Sequence, residues 1–459
     1  MKRHMVLLSF IIIACVLLVS GCGVKKGSEG NMKEEISINV ITTFAGEDGN
    51  AKNYKDAISA FEEKTGVKVY DNSVTSDEKF KARVERDFQA GAEADVLFFF
   101  QGADADSFIK QGKIVSLEEI REVYPEYATN MDEDYMHTSV IDGKKYAVPV
   151  NGYWEALFCN KEVLEVAGVE VPGADYTWKK FLEDCEKIKR AGYTPIAAAL
   201  GDIPHYWWEY SVFNHTTTKT HTEIPKDAES ENGPGWIAGM EDIKELYEKE
   251  YFPKNTLSVK DEETFGLFTS GRAAFLLDGS WKVGGIVSAC QTDPDDAMTL
   301  DREKLSKFTV TYAPASGERK ATDLIGGISM GYYISRKAWD NEAKRDSVIE
   351  FVEYMTTDRM VAEFSEHTAS ALKQMPDIDP KSYNSLQMKA LEMMDGATSL
   401  NPTVQDFLNG ACRVPMFEGM PQIVTGEVAA KEAVGKSLAI YAEQKKEEES
   451  EGNGTCLKW

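Results

Sequence analysis

The spacing of apolar positions divides the chain into short alternating elements. Residues 36–43 alternate apolar and polar side chains, which predicts a strand. Tyr54, Ala57, Ile58 and Phe61 then recur at helical spacing, and Thr65-Gly66 ends that helix. Residues 67–70 read as a second strand, and residues 79–90 as a helix stopped by Gly91. Asp95-Val96-Leu97-Phe98-Phe99-Phe100 is almost continuously apolar, as a strand covered on both faces of a mainly parallel sheet must be. Asp142-Gly143 between strand-like flanks predicts a hairpin over 140–148. Trp178, Phe181, Cys185 and Ile188 form one helical stripe, and residues 194–199 and 308–312 read as strands. Val348, Ile349, Val352 and Met355 mark a long helix, and the polar stretch 214–235, broken by Pro225, Gly233 and Pro234, reads as a surface loop. Alternating strand and helix predicts an α/β body, and 459 residues are enough for two lobes.

The N-terminus breaks this pattern. Lys2-Arg3-His4 precede an uncharged run from Met5 to Val19, too short for a membrane span of ~20 residues and suited to a secretory signal. Ser20-Gly21-Cys22 follows and resembles a bacterial lipobox, in which the cysteine becomes the lipidated first residue. The expectation is therefore a signal peptide over 1–21, palmitate-type lipid on Cys22 and a flexible polar tether over 22–35. Such a protein is held at the cell membrane and faces outward. Five further cysteines (159, 185, 290, 412 and 456) are odd in number and contain no CxxC, so no disulfide framework is implied.

Composition removes several functions. A formal charge of −25 repels phosphate backbones, so nucleic acid is not an expected partner. Gly327-Ile328-Ser329-Met330-Gly331 matches GxSxG, but strand-like residues follow where a nucleophile elbow needs a helix. Val434-Gly435-Lys436-Ser437 lacks the earlier glycine of a phosphate loop. His215 and His221 have no metal-ligand spacing, and Asp293, Asp295, Asp296 and Asp301 lack the glycine and closing glutamate of a calcium loop. Neither a metal nor an organic cofactor is called for.

Several blocks in order carry a resemblance. They are Phe61 to Val69, Gly91 to Phe100, Asp142 to Pro149, Ala156 to Lys161, Gly271 to Phe275, Leu277 to Trp281 and Gly326 to Ser329. Together they are similar to the extracellular solute-binding proteins of bacterial ABC sugar importers, of the maltose-binding type. The resemblance implies a type II periplasmic-binding-protein-like fold, α/β, with two discontinuous lobes, a hinge and a ligand cleft between them. Lobe one is expected over 36–150 and about 330–375, lobe two over 151–329 and about 376–445, and a polar tail over 446–459. It implies a monomer that captures a carbohydrate, an oligosaccharide by preference, and hands it to the permease subunits of an ABC transporter without catalysis. Another solute (a peptide or a polyamine) is the alternative, and a secreted hydrolase the more distant one.

Sugar rings offer apolar faces to aromatic rings and a hydroxyl rim to carboxylates and amides. The expected contacts are accordingly Glu47 and Asp48 after the first strand, Gln101 and Asp104 after the third, and Trp154 and Glu155 after the first crossing. The resemblance further implies that at least one of Tyr206, Trp207 and Trp208 faces the cleft, and that Trp281 is a stacking tryptophan. Trp178 and Trp339 read as structural, Arg413 as able to reach the cleft, and Trp236 is left open.

Overall fold

The computed structural model describes residues 36–46, 48–293, 297–366, 368–376 and 383–454. Cys22, Glu47 and Cys456 lie outside the described residues. The strands in chain order are β1 (Ser37–Ile41), β2 (Lys68–Asp71), β3 (Val96–Phe100), β4 (Val148–Pro149), β5 (Tyr153–Asn160), β6 (Thr194–Ile196), β7 (Ala273–Gly279), β8 (Phe308–Thr311), β9 (Asp323–Gly327), β10 (Met330–Ile334) and β11 (Ser399–Asn401). They build two sheets. The first has the order β2-β1-β3-β10-β4, with β1 parallel to β2 and β3, and β10 antiparallel to β3 and β4. The second has the order β11-β9-β5-β7-β6, with β8 also paired to β5. The chain passes between sheets at 149–153 and again at 327–330.

Each sheet organises one lobe. Helices Ala51–Thr65 and Glu342–Met355 pack on the first sheet through Tyr54, Phe61, Val348 and Phe351, which share a core with Ile38, Val40 and Phe98. Gly66 and Gly91 end helices Ala51–Thr65 and Glu78–Ala90 at φ of 75° and 69°, the left-handed conformation that glycine adopts without a Cβ penalty. Leu372 still bridges Met131 of lobe one, whereas helix Ser385–Asp395 packs on β8 of lobe two, so the chain changes lobes once more between them. Helices Met420–Val424 and Ala430–Gly454 pack on helix Gly233–Glu248 in lobe two, and helix Gly410–Arg413 packs on Ala430–Gly454.

Two local expectations differ from the structure. The hairpin over 140–148 reduces to one bridge, Thr138 to Lys145, because Val148-Pro149 pairs with β10 instead. The polar stretch 214–235 is tied down rather than excursive. His221 stacks on Phe213 with ring centroids 4.4 Å apart, and its Nε2 lies 2.9 Å from the Pro402 carbonyl. Its end is also helical, since helix Gly233–Glu248 begins at Gly233 with Pro234 in its first turn, where a missing N–H costs nothing. That helix sends Trp236 fully into the core. Cys159, Cys185, Cys290 and Cys412 are buried free thiols, and no described helix is long and apolar enough to cross a membrane.

Candidate functional site: the cleft between the sheets

A cavity of about 930 Å³ lies between the two lobes. It is at the upper end of the ~300–1,000 Å³ usual for small-molecule pockets, room for more than one sugar ring. Its walls come from segments at the strand ends, where open α/β sheets gather ligands. Lobe one supplies Phe44 and Asp48 beyond β1, and Phe100 at the end of β3. Lobe two supplies Tyr153 and Glu155 of β5, Ser280 and Trp281 beyond β7, and Thr403, Gln405 and Asp406 beyond β11. Ser329, the serine of the GxSxG sequence, sits on the crossing between β9 and β10 and lines the floor.

The aromatic side is compact. Trp281 lies 6.3 Å from Tyr153 and 5.8 Å from Tyr206, centroid to centroid, at angles of 34° and 44°. β5 places Tyr153 and Glu155 on one face and turns Trp154 to the other, because side chains alternate along a strand. The first turn of helix His205–Asn214 brings His205 and Tyr206 to the cavity. Burial, with Lys81 and Arg413 nearby, lowers the His205 imidazole to about 3, so the ring is neutral at ordinary pH.

The acidic side is poorly neutralised. Glu155 is 1% exposed and its Oε2 has no hydrogen-bond partner. Burial first, then Glu209, Asp278 and Asp406, push its carboxyl well above the usual range. Burial likewise raises Asp48 to about 7 and Asp406 to about 6. Glu209 does not line the cavity but shapes it. Its two carboxylate oxygens accept the backbone N–H groups of Val404 and Gln405 at 2.8 and 2.9 Å, fixing the turn that carries Asp406.

Of the residues expected from the sequence, Asp48, Glu155, Tyr206 and Trp281 come together around this cavity. Five others do not. Trp154 packs into a lobe-two core with Phe158, their ring centroids 5.8 Å apart. Trp207 stacks on Phe181, and Trp208 meets Trp236 edge-on, both fully inside lobe two. The helix that carries them is buried all round, which explains why its apolar run had no amphipathic period. Gln101 turns back to accept the His137 N–H at 3.0 Å. Asp104 is occupied by two cations, with Lys81 at 2.9 Å and Arg413 at 2.8 Å. Although burial opposes it, Arg413 and Lys81 hold the Asp104 carboxyl below its ordinary value. Arg413 thus links the lobes beside the cavity rather than lining it.

Tyr153, Lys81, Lys282 and Asp406 line the cavity without having been expected there. Tyr153 carried a signal, its period-two spacing from Glu155. Asp406 carried none, since the turn that presents it is fixed by Glu209 from nearly two hundred residues away.

The model of the family described as bacterial extracellular solute-binding protein matches residues 46–362, well over half of the chain. The chain belongs to this family. A galactooligosaccharide-binding protein of Bacillus subtilis (strain 168) is 23% identical over 286 residues, covering 61% of this chain and 64% of that relative. The match therefore spans somewhat less than two-thirds of the relative's length. Among solved structures, a chitin oligosaccharide binding protein superposes with a TM-score of 0.73 at 20% identity, over 89% of this chain and 98% of the other. A maltose/maltodextrin-binding domain from Bdellovibrio bacteriovorus bound to maltotriose gives a TM-score of 0.67 at 16% identity, over 90% and 100%. These superpositions establish the two-lobed binding-protein fold for this solute-binding protein.

Proposed function

We propose that this solute-binding protein captures an oligosaccharide in the interlobe cavity and delivers it to the permease of an ABC importer. One observation carries the reading: Tyr153, Tyr206 and Trp281 from lobe two face Asp48 and Phe44 from lobe one across a single cavity. Flat rings suit the C–H faces of sugars, and carboxylates suit their hydroxyl rims. The relatives named above point the same way, as their names specify oligosaccharides. Contacts from both lobes favour the closed form, because a ligand shifts a two-state equilibrium only by its differential affinity. The chemistry is capture and release, with no bond made or broken.

A membrane tether belongs to the same proposal. Cys22 behind the apolar run supplies the lipid site, and residues 22–35 the spacer. Cys22→Ala should move the protein from the membrane fraction to the soluble one.

The test is a thermal-shift screen of the protein from residue 23 onward against mono- and oligosaccharides, with peptides and polyamines as controls. A ligand of the native state at 100 times its Kd adds about 2.7 kcal/mol of stability. A shift with an oligosaccharide that is recovered intact after incubation supports capture. A shift with peptides or polyamines alone, or a degraded sugar, overturns it.

A further inference from the structure

We infer that the carbohydrate this cleft takes is an amino sugar carrying a free ammonium group, seated against Glu155 beside Trp281. The inference rests on the carbohydrate reading above and narrows it.

Three observations meet at one place. First, eight carboxylate side chains against four lysines line the cavity among the described residues. The two lysines deepest in the walls are already engaged. Lys81 Nζ is 2.9 Å from Asp104 and 3.9 Å over the Phe100 ring, and Lys282 Nζ is 2.6 Å from Asp261. Second, Glu155 is buried with Oε2 unpartnered, and the charges acting on it, Glu209, Asp278 and Asp406, are all acidic. Ionising this buried carboxyl without a cation is costly, so in the empty cleft it keeps its proton. A sugar hydroxyl would hydrogen-bond to that neutral acid and leave it neutral. An ammonium group supplies donors and the opposite charge together. Third, Tyr153 precedes Glu155 by two residues on the same strand face, and with Tyr206 and Trp281 it lines the same cavity as the carboxyl group. Rings of this kind attract cations through their quadrupoles and cover sugar C–H faces equally well. Aromatic rings in the same cavity as a buried carboxyl group that lacks a cation match a ring sugar that bears an amine.

Three β-1,4-linked trimers isolate the feature, since they share a backbone and differ only at C2: glucosamine with an ammonium, N-acetylglucosamine with an amide, and glucose with a hydroxyl. Isothermal titration at pH 6 should give the glucosamine trimer a Kd at least ~10-fold below the other two, the scale of one charge-assisted hydrogen bond. Glu155→Gln, nearly isosteric, should abolish that preference, and Asp406→Asn should reduce it. Circular dichroism melting of both variants verifies that they fold. Equal or tighter binding of a neutral trimer overturns the inference, as does a preference that survives in Glu155→Gln. Spermidine binding as tightly as the glucosamine trimer also overturns it, because the rings would then have no sugar to cover. A neutral saccharide of the wider screen that binds while the glucosamine trimer does not overturns this inference and leaves oligosaccharide capture standing. Binding by no saccharide removes both.

Discussion

At the residue scale, the site is written by which side of an element each side chain takes. Trp154 and Glu155 are neighbours in sequence, yet one is core and the other lines the cleft. Trp154→Ala is expected to cost about 3–5 kcal/mol of folding stability through lost burial and a cavity. Trp281→Ala should change stability less and weaken oligosaccharide binding about 10- to 100-fold, the equivalent of ~1.5–3 kcal/mol of ring burial. Denaturant melts and titration calorimetry separate the two effects, and the same loss of binding in both variants would refute the placement of Trp154. The acidic cluster carries its own signature. Burial raises Asp48 and Asp278 to about 7, Glu209 to about 8 and Asp406 to about 6 in the folded protein. An unfolded chain ionises these groups near pH ~4. Between those limits the folded state holds more protons than the unfolded one, so stability falls as pH rises from about 4 to 8. The melting temperature of the ligand-free protein should decline over that range, and Glu209→Gln should flatten the slope. A melting temperature that climbs toward pH 8 contradicts this account of the buried carboxylates.

At the scale of elements, period and punctuation made much of the fold legible. The stripe Tyr54, Ala57 and Phe61 and the stop at Gly66 define helix Ala51–Thr65, and the apolar run through Phe98 and Phe99 defines β3. Where the sequence misled, a partner distant along the chain decided the outcome. β10 claims Val148-Pro149 and dissolves the hairpin, and the surrounding core takes all sides of helix His205–Asn214, so Trp207 and Trp208 miss the cleft that Tyr206 reaches. Asp104 misses it for the same reason, since Arg413 arrives from some three hundred residues away. That contact joins helix Glu78–Ala90 and the turn Gly102–Asp104 of lobe one to helix Gly410–Arg413 of lobe two. Asp104→Ala leaves the fully buried guanidinium short of a counter-charge and is expected to destabilise the protein by about 3–5 kcal/mol. Urea unfolding measures this, and a change below 0.5 kcal/mol, a rough bound for an ordinary surface position, would show that the pair is not buried in solution.

At the scale of the whole molecule, the two lobes touch at two places beside the cavity. At one, Arg413 meets Asp104. At the other place, Gly49 of lobe one meets Gly284 of helix Lys282–Ala289, so closely that a Cβ on Gly284 would lie 2.3 Å from the Gly49 Cα. Closure therefore depends on the absence of a side chain at Gly284, and Gly284→Val should hold the lobes apart. The central claim is that a sugar draws the lobes together around itself. Small-angle X-ray scattering with and without saturating oligosaccharide tests this most directly. The account predicts that the radius of gyration falls on adding sugar to the wild type and stays at its larger value in Gly284→Val. A wild-type radius unchanged by a sugar that calorimetry shows to be bound would contradict it.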